Sequence, residues 1–320
     1  MKYVLKMKRR IKMENSIKNG EILFIYEAKL TNPNGDIDDE NRPRMDYDSS
    51  TNLVSDVRLK RYIRDYLKDS GKNIFIDHGN FGTATEKLNT ELEKNNYKLK
   101  EIMKDGKKSI DFVTKNYEDI RLFGSMIPIK SEKNEKKGTK QGDITNDSEK
   151  DENNGDSIRI VGPVQFSWGY SLNKVQLLNS YSITGGFTSS SGKKNNSIGK
   201  DYRLYYSLIA FYGIINKHRA KLSGLTENDI NDLDDAMLNS IQEQASRSKI
   251  NQMPVFYLRT SSDNRLLGDL RDYLKFQVNN DPVRNIKDYS LDVKELESAL
   301  KNNGIEKAKM WKHENLDLIE

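Results

Sequence analysis

The chain has 320 residues, of which 32% are charged, a formal net charge of +5 and a mean hydropathy of −0.82. A chain of this length forms one large domain or two ordinary ones, with ample apolar material for a core. The absence of cysteine excludes disulfides and thiolate metal sites and agrees with a reducing cytoplasm. No apolar run approaches the ~18 residues needed to cross a bilayer. We therefore expect a cytoplasmic protein with no membrane partner.

The positive charge is concentrated at the start of the chain. Residues 1–18 contain seven Lys or Arg residues and one Glu, so the rest of the chain is close to neutral. We treat residues 1–20 as a basic N-terminal extension and residues 21–320 as a single domain with insertions. Any cationic binding surface on that domain has to come from segregated charge.

The first predicted elements are a strand, a loop and a helix. Residues 21–30 alternate as a strand does, with Ile22, Phe24 and Tyr26 on one face. An Asn-, Pro- and Gly-containing loop follows. Residues 52–71 have the pattern of a helix, with Asn52 as its N-cap and a glycine at its end. Residues 72–120 are predicted to be mixed and partly helical.

The middle of the chain contains two polar interruptions. Residues 130–156 have a single apolar residue, Ile144, so we predict a disordered loop between two strand-like segments, 119–129 and 157–172. Residues 170–203 are predicted to form a long β-hairpin, because two alternating arms flank a polar tip at 185–197.

The last third predicts a core strand, a helix and a closing strand. Residues 205–216 are apolar enough for a buried strand, Thr226 opens a helix, and residues 254–260 form a strand. Two further helical segments are predicted at 265–276 and 293–302. Without the insertions the order is strand, helix, two strands, helix, strand. This order is typical of the α+β ferredoxin-like fold that RNA-recognition domains share.

The acidic loop, "TNPNGDIDDENRPRMD" (31–46), admits more than one interpretation. An EF-hand fails, because the glycine and glutamate positions of that motif hold Ile37 and Pro43. A two-metal nuclease site built from Asp36, Asp38, Asp39 and Glu40 stays open and needs further ligands. Acids in such loops are more often solvated or bound to backbone N–H groups.

No cofactor site is predicted elsewhere. The tip sequence "GFTSSSGKK" departs from the spacing of a phosphate-binding loop, so it predicts no nucleotide. The three histidines, His78, His218 and His313, lack the paired spacing of zinc ligands. We expect neither a resident metal nor catalytic histidine chemistry.

Cations of the first helix and the loop predict a nucleic-acid surface. Lys60, Arg61, Arg64 and Lys68 fall within one arc of the helix, opposite its apolar face. Successive like charges repel slightly unless a polyanion is bound. The loop adds Arg42 and Arg44 just before this helix. Such a row of cations suits a binder of the nucleic-acid backbone that ignores base sequence.

Four segments, "EAKLTNPNGDIDDENRPRMD", "LVSDVRLKRYIRDYL", "DIRLFGSMIP" and "GPVQFSWGYSLN", resemble the Cas-seven family, and most closely its type I-B branch. Members of this family, which is part of the RAMP superfamily, form the backbone of CRISPR Cascade surveillance complexes. The resemblance spans about residues 21–260. It implies a ferredoxin-like palm, a helical fingers insertion at 72–120 and a thumb hairpin at 170–203.

The resemblance also implies partners and contact residues. Several copies would assemble head to tail on a CRISPR RNA, with other Cascade subunits, and present the guide to target DNA. The loop from Asn32 to Asp46 and the family's basic first helix would contact RNA, and Phe187 would act as a wedge. The expected RNA-binding residues are Asn32, Asn34, Arg42, Arg44, Arg58, Lys60, Arg61, Arg64, Phe187, Lys193 and Lys194.

The leading hypothesis is therefore a non-enzymatic RNA-binding scaffold. One alternative is a metal-dependent RNA endonuclease that uses the acidic residues Asp36 to Glu40. Another is a general interaction module that binds nucleic acid through its basic leader.

Overall fold

A computed structural model describes residues 17–77, 82–129, 157–178, 182–184, 198–263 and 265–320. Within this part of the chain the strands are β1 (Gly20–Thr31), β2 (Gly35–Asp36), β3 (Arg42–Pro43), β4 (Met45–Asp46), β5 (Thr51–Val54), β6 (Gly124–Pro128), β7 (Ser157–Val161), β8 (Val164–Phe166), β9 (Gly169–Ser171), β10 (Ser182–Thr184), β11 (Ile198–Lys200), β12 (Leu204–Ile215), β13 (Gln252–Ser261), β14 (Lys275–Val278), β15 (Tyr289–Asp292), β16 (Glu306–Lys312) and β17 (Asp317–Ile319). The helices are α1 (Asp56–Asp69), α2 (Ala84–Lys94), α3 (Leu99–Met103), α4 (Gly106–Asn116), α5 (Glu118–Phe123), α6 (Lys217–Ser223), α7 (Glu227–Glu243) and α8 (Lys294–Asn302). None of these helices is long and apolar enough to cross a membrane.

The fold is mixed α/β and is built on one large antiparallel sheet. Its strand order is β16-β13-β1-β12-β9-β5-β4, and β8 also pairs with β12. The predicted strands β1, β12 and β13 are confirmed, and β1 lies between the other two. The segment predicted as a closing strand, β13, is not at the edge of the sheet, because β16 pairs with its outer side.

Both faces of the central strands are covered, which explains their nearly continuous apolar sequences. Ile22, Phe24 and Tyr26 share one face of β1 as predicted, and they pack under α1 and α7. Leu23 and Ile25 point to the opposite face, which α8 and the small sheet of β14, β15 and β17 cover.

The predicted N-cap of the first helix is wrong by three residues. Asn52 is not an N-cap; it lies buried in β5, where its N–H donates to Ser171 Oγ and its amide Nδ2 donates to the carbonyl of Arg44. The actual N-cap is Ser55, whose Oγ accepts from the N–H of Arg58 at 3.3 Å. Asn52 is a good capping residue, but its side chain is used inside the sheet instead.

The other helix predictions have mixed outcomes. Helix α7 begins after Thr226 as predicted, with a capping box completed by Asp229, and α8 lies within the predicted 293–302. In contrast, the segment 265–276 is not an α-helix: it has only a 3-10 turn at Leu270–Tyr273 before β14. Residues 119–129, predicted as a strand, begin inside α5 and become extended only at β6.

The change from α5 to β6 occurs at a glycine. Gly124 has φ of +71°, and a Cβ there would lie 2.3 Å from the N–H nitrogen of Gly162. Only glycine combines that dihedral with such a close approach between chains. Strand β6 then pairs antiparallel with β7. The predicted disordered loop between them, 130–156, lies outside the described residues.

Helices α2 to α5 carry a small core of their own. Their buried residues include Leu88, Leu92, Phe112, Val113 and Ile120. Farther along the chain, β10 and β11 pair antiparallel, and the tip between them lies outside the described residues. The two arms also meet nearer the large sheet, where the N–H of Leu178 donates to the carbonyl of Arg203 at 2.8 Å.

Buried Glu118 in α5 predicts a pH-dependent stability. Its Oε1 has no hydrogen-bond partner among the described residues, and burial raises its pKa to about 7. The charges of Asp229 and Asp232 raise this pKa further, whereas Lys72 and Arg121 lower it. The folded chain therefore retains this proton as the unfolded chain loses it above about pH 4.3. The free energy of unfolding should accordingly fall as the pH rises towards 7.

We expect Glu118→Gln to remove this pH dependence and to stabilise the fold at pH 8 by about 1–3 kcal/mol. Urea unfolding at pH 5 and pH 8 measures both effects. Glu101→Gln, at an exposed position of α3, is the control and should retain the wild-type difference between the two pH values. A lower stability of Glu118→Gln at pH 8 would contradict the expectation.

Candidate nucleic-acid interface

The loop that follows β1 is held by its own backbone and amides. The Nδ2 of Asn32 donates to the carbonyl of Asn41 at 2.7 Å, and the N–H of Arg44 donates to the carbonyl of Asn34 at 3.1 Å. Strands β2 and β3 pair across a single 3-10 turn. Asn41 has φ of +61°, a left-handed conformation that asparagine tolerates. The loop is therefore a short hairpin whose conformation is fixed by its own hydrogen bonds.

The acidic residues of the loop contact cations. Asp36 pairs with Arg44 at 3.1 Å. Glu40 accepts from Lys200 at 2.6 Å and from the hydroxyl of Tyr202 at 2.7 Å. The hydrogen bond from Lys200, followed by that from Tyr202, lowers the pKa of Glu40. These contacts attach the loop to the base of the β10–β11 hairpin.

The two-metal interpretation of the acidic loop gains no support from this geometry. Among the described residues, no group of three or more His, Asp or Glu side chains is arranged to hold a metal ion. Asp36 and Glu40 lie against arginine and lysine, and Asp39 lies 3.8 Å from Arg42. Their negative charge is offset inside the protein.

The start of α1 is tied to the same loop. Ser55 Oγ donates to the side-chain oxygen of Asn34 at 3.4 Å, and the hydroxyl of Tyr62 lies 3.4 Å from the carbonyl of Pro33. The loop and the first turns of α1 therefore form one surface, as the sequence predicts from their adjacency.

Three arginines of the predicted set share one arrangement on this surface. Each guanidinium lies over an aromatic ring, and each Nε is shielded from water without a hydrogen-bond partner in the part of the chain that the structure describes. The distances from guanidinium carbon to ring centre are 4.8 Å for Arg42 over Tyr202, 5.9 Å for Arg44 over Trp168 and 4.3 Å for Arg58 over Tyr62. Stacking fixes the orientation of these groups, and an unpaired buried donor is costly unless a ligand satisfies it.

The cations on the body of α1 are more internally paired. Lys60 donates to Asp56 at 3.1 Å and to Gln165 at 3.0 Å, and only 12% of its side chain is exposed. Arg61 pairs with Asp65 one turn later at 2.6 Å. The predicted cationic row on this helix is therefore largely neutralised by neighbouring carboxylates.

Arg64 does not belong to a solvent-facing row, and this part of the prediction is wrong. It is 8% exposed, and its Nε donates to Asp119 Oδ2 at 3.0 Å. Asp119 is fully buried and also accepts the N–H groups of Phe75 and Ile76. A helical wheel of α1 alone cannot show that α5 packs on this side of it.

One cation of the surface was missed by the sequence analysis. Lys249, in the segment before β13, donates its Nζ to the carbonyl of Asn32. The neighbouring Ser248 accepts the N–H of Asn32 at 3.0 Å, so this segment packs directly against the loop. A single lysine about 200 residues from the loop gives no signal in a sequence pattern.

Aromatic and hairpin residues of the surface were also missed. Trp168 lies in the segment "GPVQFSWGYSLN", which resembles the family, but the contact of its half-exposed ring with Arg44 was not predicted. Tyr202 and Lys200 likewise come from the hairpin base. Three further predicted RNA contacts, Phe187, Lys193 and Lys194, lie outside the described residues.

Comparison with known proteins gives concordant results. Residues 18–294 match the family described as CRISPR-associated protein Cas7. The CRISPR-associated protein Cas7 of Haloferax volcanii is 30% identical over an alignment of 301 residues, which covers 89% of this chain and 83% of that protein.

Two chains of solved complexes are also similar in structure. A chain of a CRISPR RNA-guided surveillance complex is 12% identical, with 78% of this chain and 72% of that chain covered and a TM-score of 0.41. A chain of a pre-nicking CRISPR RNA-guided surveillance complex is 8% identical, with coverages of 80% and 81% and a TM-score of 0.44. The family match, which extends over most of the sequence, shows that this chain belongs to the family of CRISPR-associated protein Cas7.

Proposed function

We propose that this chain is a non-enzymatic backbone subunit that binds CRISPR RNA in a type I-B Cascade surveillance complex. Several copies would lie head to tail along the guide, beside other Cascade subunits, and present the guide for pairing with target DNA. The observation that carries the proposal is the shared arrangement of Arg42, Arg44 and Arg58, each stacked on an aromatic ring with an unpaired Nε donor. Membership of the Cas7 family supports it.

Stacked arginines are suited to phosphodiesters because a planar guanidinium donates to two oxygens at once. Such contacts fix the path of a nucleic acid and carry no sequence information. A subunit that holds any guide equally well needs this property, since base pairing then reads the target. We include Asn32, Asn34, Lys60 and Arg61 as further contacts, and we assign Arg64 to the fold instead.

We propose that the large sheet is a ferredoxin-like palm. The neighbouring order β13-β1-β12-β9, with α1 and α7 on one face, supports this assignment. The remaining segments of the proposed organisation are a basic extension (1–20), helical fingers (72–120), a polar loop (130–156) and a thumb hairpin (170–203).

The alternatives have less support. A nuclease would need carboxylates free to bind metal, and Asp36 and Glu40 are each paired with a cation. A module that binds nucleic acid only through its basic leader would leave the stacked arginines Arg42, Arg44 and Arg58 without a role. A chain that starts at Met13 should therefore retain RNA binding.

Native mass spectrometry with unrelated single-stranded RNAs of increasing length tests the proposal. We expect the number of bound copies to rise in steps with RNA length, and the RNA to stay intact in Mg²⁺ or Mn²⁺. One bound copy at every length would contradict a backbone role. Cleavage that disappears in Asp36→Ala would instead favour the nuclease.

A further inference from the structure

Two cations on the interface, Arg58 and Lys249, differ from the others because neither pairs with a carboxylate of the described residues. Arg58 lies on Tyr62 with its Nε unpaired. Lys249 Nζ donates to the backbone carbonyl of Asn32. By contrast, Arg42 and Arg44 both have an acidic partner. This leaves a local excess of positive charge beside the loop.

Lys249 and the aromatic ring beneath Arg58 are linked by a connected set of hydrogen bonds. The hydroxyl of Tyr62 lies 3.5 Å from Gln252 Oε1, and Gln252 Nε2 donates to the carbonyl of Lys249 at 2.9 Å. On the other side, the loop is bonded to the same segment through Asn32. Helix α1, the loop and the segment before β13 therefore form one pre-organised site.

The site also has an unused acceptor. Asn32 is 2% exposed, and its Oδ1 has no hydrogen-bond partner among the described residues, while its Nδ2 donates to the carbonyl of Asn41. A ligand that brings both acceptors for Arg58 and a hydroxyl donor for Asn32 would satisfy this arrangement. A ribonucleotide unit has both, in its phosphodiester and its 2′-hydroxyl.

We propose that Arg58 and Lys249 bind one phosphodiester of the guide RNA, and that Lys249 Nζ takes up a proton from solvent as this phosphate arrives. The inference rests on the proposed function and adds two things to it. It assigns Lys249 as an RNA-binding residue, and it makes guide binding at this site dependent on pH.

The charges around Lys249 support the proton uptake. Partial burial, reinforced by the positive charge of Arg58, lowers the pKa of Lys249 to about 7. The groups hydrogen-bonded to Lys249 from neighbouring elements are neutral. Its Nζ donates to the backbone carbonyl of Asn32 in the loop, and its own carbonyl accepts from the amide of Gln252 in β13. On its own segment, Arg247 is paired with Asp201.

The sign of the effect follows from these charges. In the free chain, Lys249 loses its proton as the pH rises above about 7. A bound phosphate stabilises the ammonium and offsets its repulsion from Arg58, so the bound state retains the proton to higher pH. Binding should therefore weaken with rising pH, by at most tenfold per pH unit, and about threefold to tenfold between pH 7 and 8.5.

Fluorescence anisotropy of the full chain with a labelled RNA, between pH 6 and 8.5, measures this dependence. The RNA should have hydroxyl ends, so that no terminal phosphate titrates in this range. We expect Lys249→Gln to bind more weakly at pH 6 and to lose the pH dependence. Lys249→Arg should also lose the dependence but retain more affinity at pH 8.5, because its charge is permanent.

Calorimetry in two buffers with different ionisation enthalpies counts the protons directly. At about pH 8 the wild-type chain should take up a fraction of one proton per site, and Lys249→Gln should take up none. Glu118→Gln is the matched control, because Glu118 also has a pKa of about 7 but lies in α5. It should retain the wild-type pH dependence.

The outcomes separate this inference from the proposed function. RNA binding that is independent of pH in the wild-type chain, or equally pH-dependent in Lys249→Gln, overturns the proton-linked site and leaves RNA binding intact. Absence of RNA binding at every pH overturns the proposed function and this inference together.

Discussion

Replacing Arg64 with alanine should destabilise the fold by about 3–5 kcal/mol, because it leaves a buried carboxylate without its partner. Asp119 is fully buried, and the donors left to it among the described residues would be the backbone N–H groups of Phe75 and Ile76. The change also removes the guanidinium that packs 5.2 Å from the ring centre of Phe123. Chemical denaturation of the two proteins measures the loss.

Arg61→Ala is the matched control on the same helix. Its pair with Asp65 is partly exposed and joins residues one turn apart, so its removal should cost only a few tenths of a kcal/mol. The folded fraction of Arg64→Ala should bind RNA with nearly wild-type affinity. If Arg64→Ala has wild-type stability and weak RNA binding, Arg64 is a contact residue, as the sequence alone had indicated.

The second large effect is expected on RNA affinity. Changing Arg42, Arg44 and Arg58 together to glutamine should weaken binding by more than about tenfold, since hydrogen bonds to a charged group contribute roughly 1.5–3 kcal/mol each. The loss should be similar for unrelated RNA sequences, because the lost contacts are to phosphates. Equilibrium binding to two such RNAs at fixed salt measures it.

Two controls isolate this effect from charge and folding. A chain with Lys294, Lys301 and Lys309 changed to glutamine loses the same charge from exposed positions on α8 and β16, and it should bind almost as the wild type does. Denaturation of the arginine variant shows whether the loop survives, because Asp36 and Glu40 lose cationic partners. If both triple variants weaken RNA equally, net charge and not this surface is responsible.

Features determined by local sequence were predictable. Strands β1, β12 and β13 are apolar enough to be recognised, and the capping box at Thr226 and Asp229 identifies the start of α7. The position of Arg42 and Arg44 beside the start of α1 was also predictable, because both lie in the loop that connects β1 to that helix.

Features determined by contacts distant in sequence were not predictable. Arg64 is an internal residue because its partner lies 55 residues away in α5. Asn52 is a good capping residue, but it is held inside the sheet instead. Ser171 of β9 accepts its backbone N–H, and Ser207 of β12 donates to its side-chain Oδ1. Lys249 lies in a turn between α7 and β13, and its Nζ donates to the loop carbonyl of Asn32. No short sequence motif predicts this contact.

The salt dependence of RNA affinity tests the central claim most directly, namely that this surface binds the RNA backbone regardless of base sequence. A plot of log affinity against log salt concentration should have a negative slope for the wild-type chain. The triple variant of Arg42, Arg44 and Arg58 should flatten that slope by about 2, at about 0.7 per lost phosphate contact, for two unrelated RNAs alike. An unchanged slope, or a change confined to one RNA sequence, would contradict the claim.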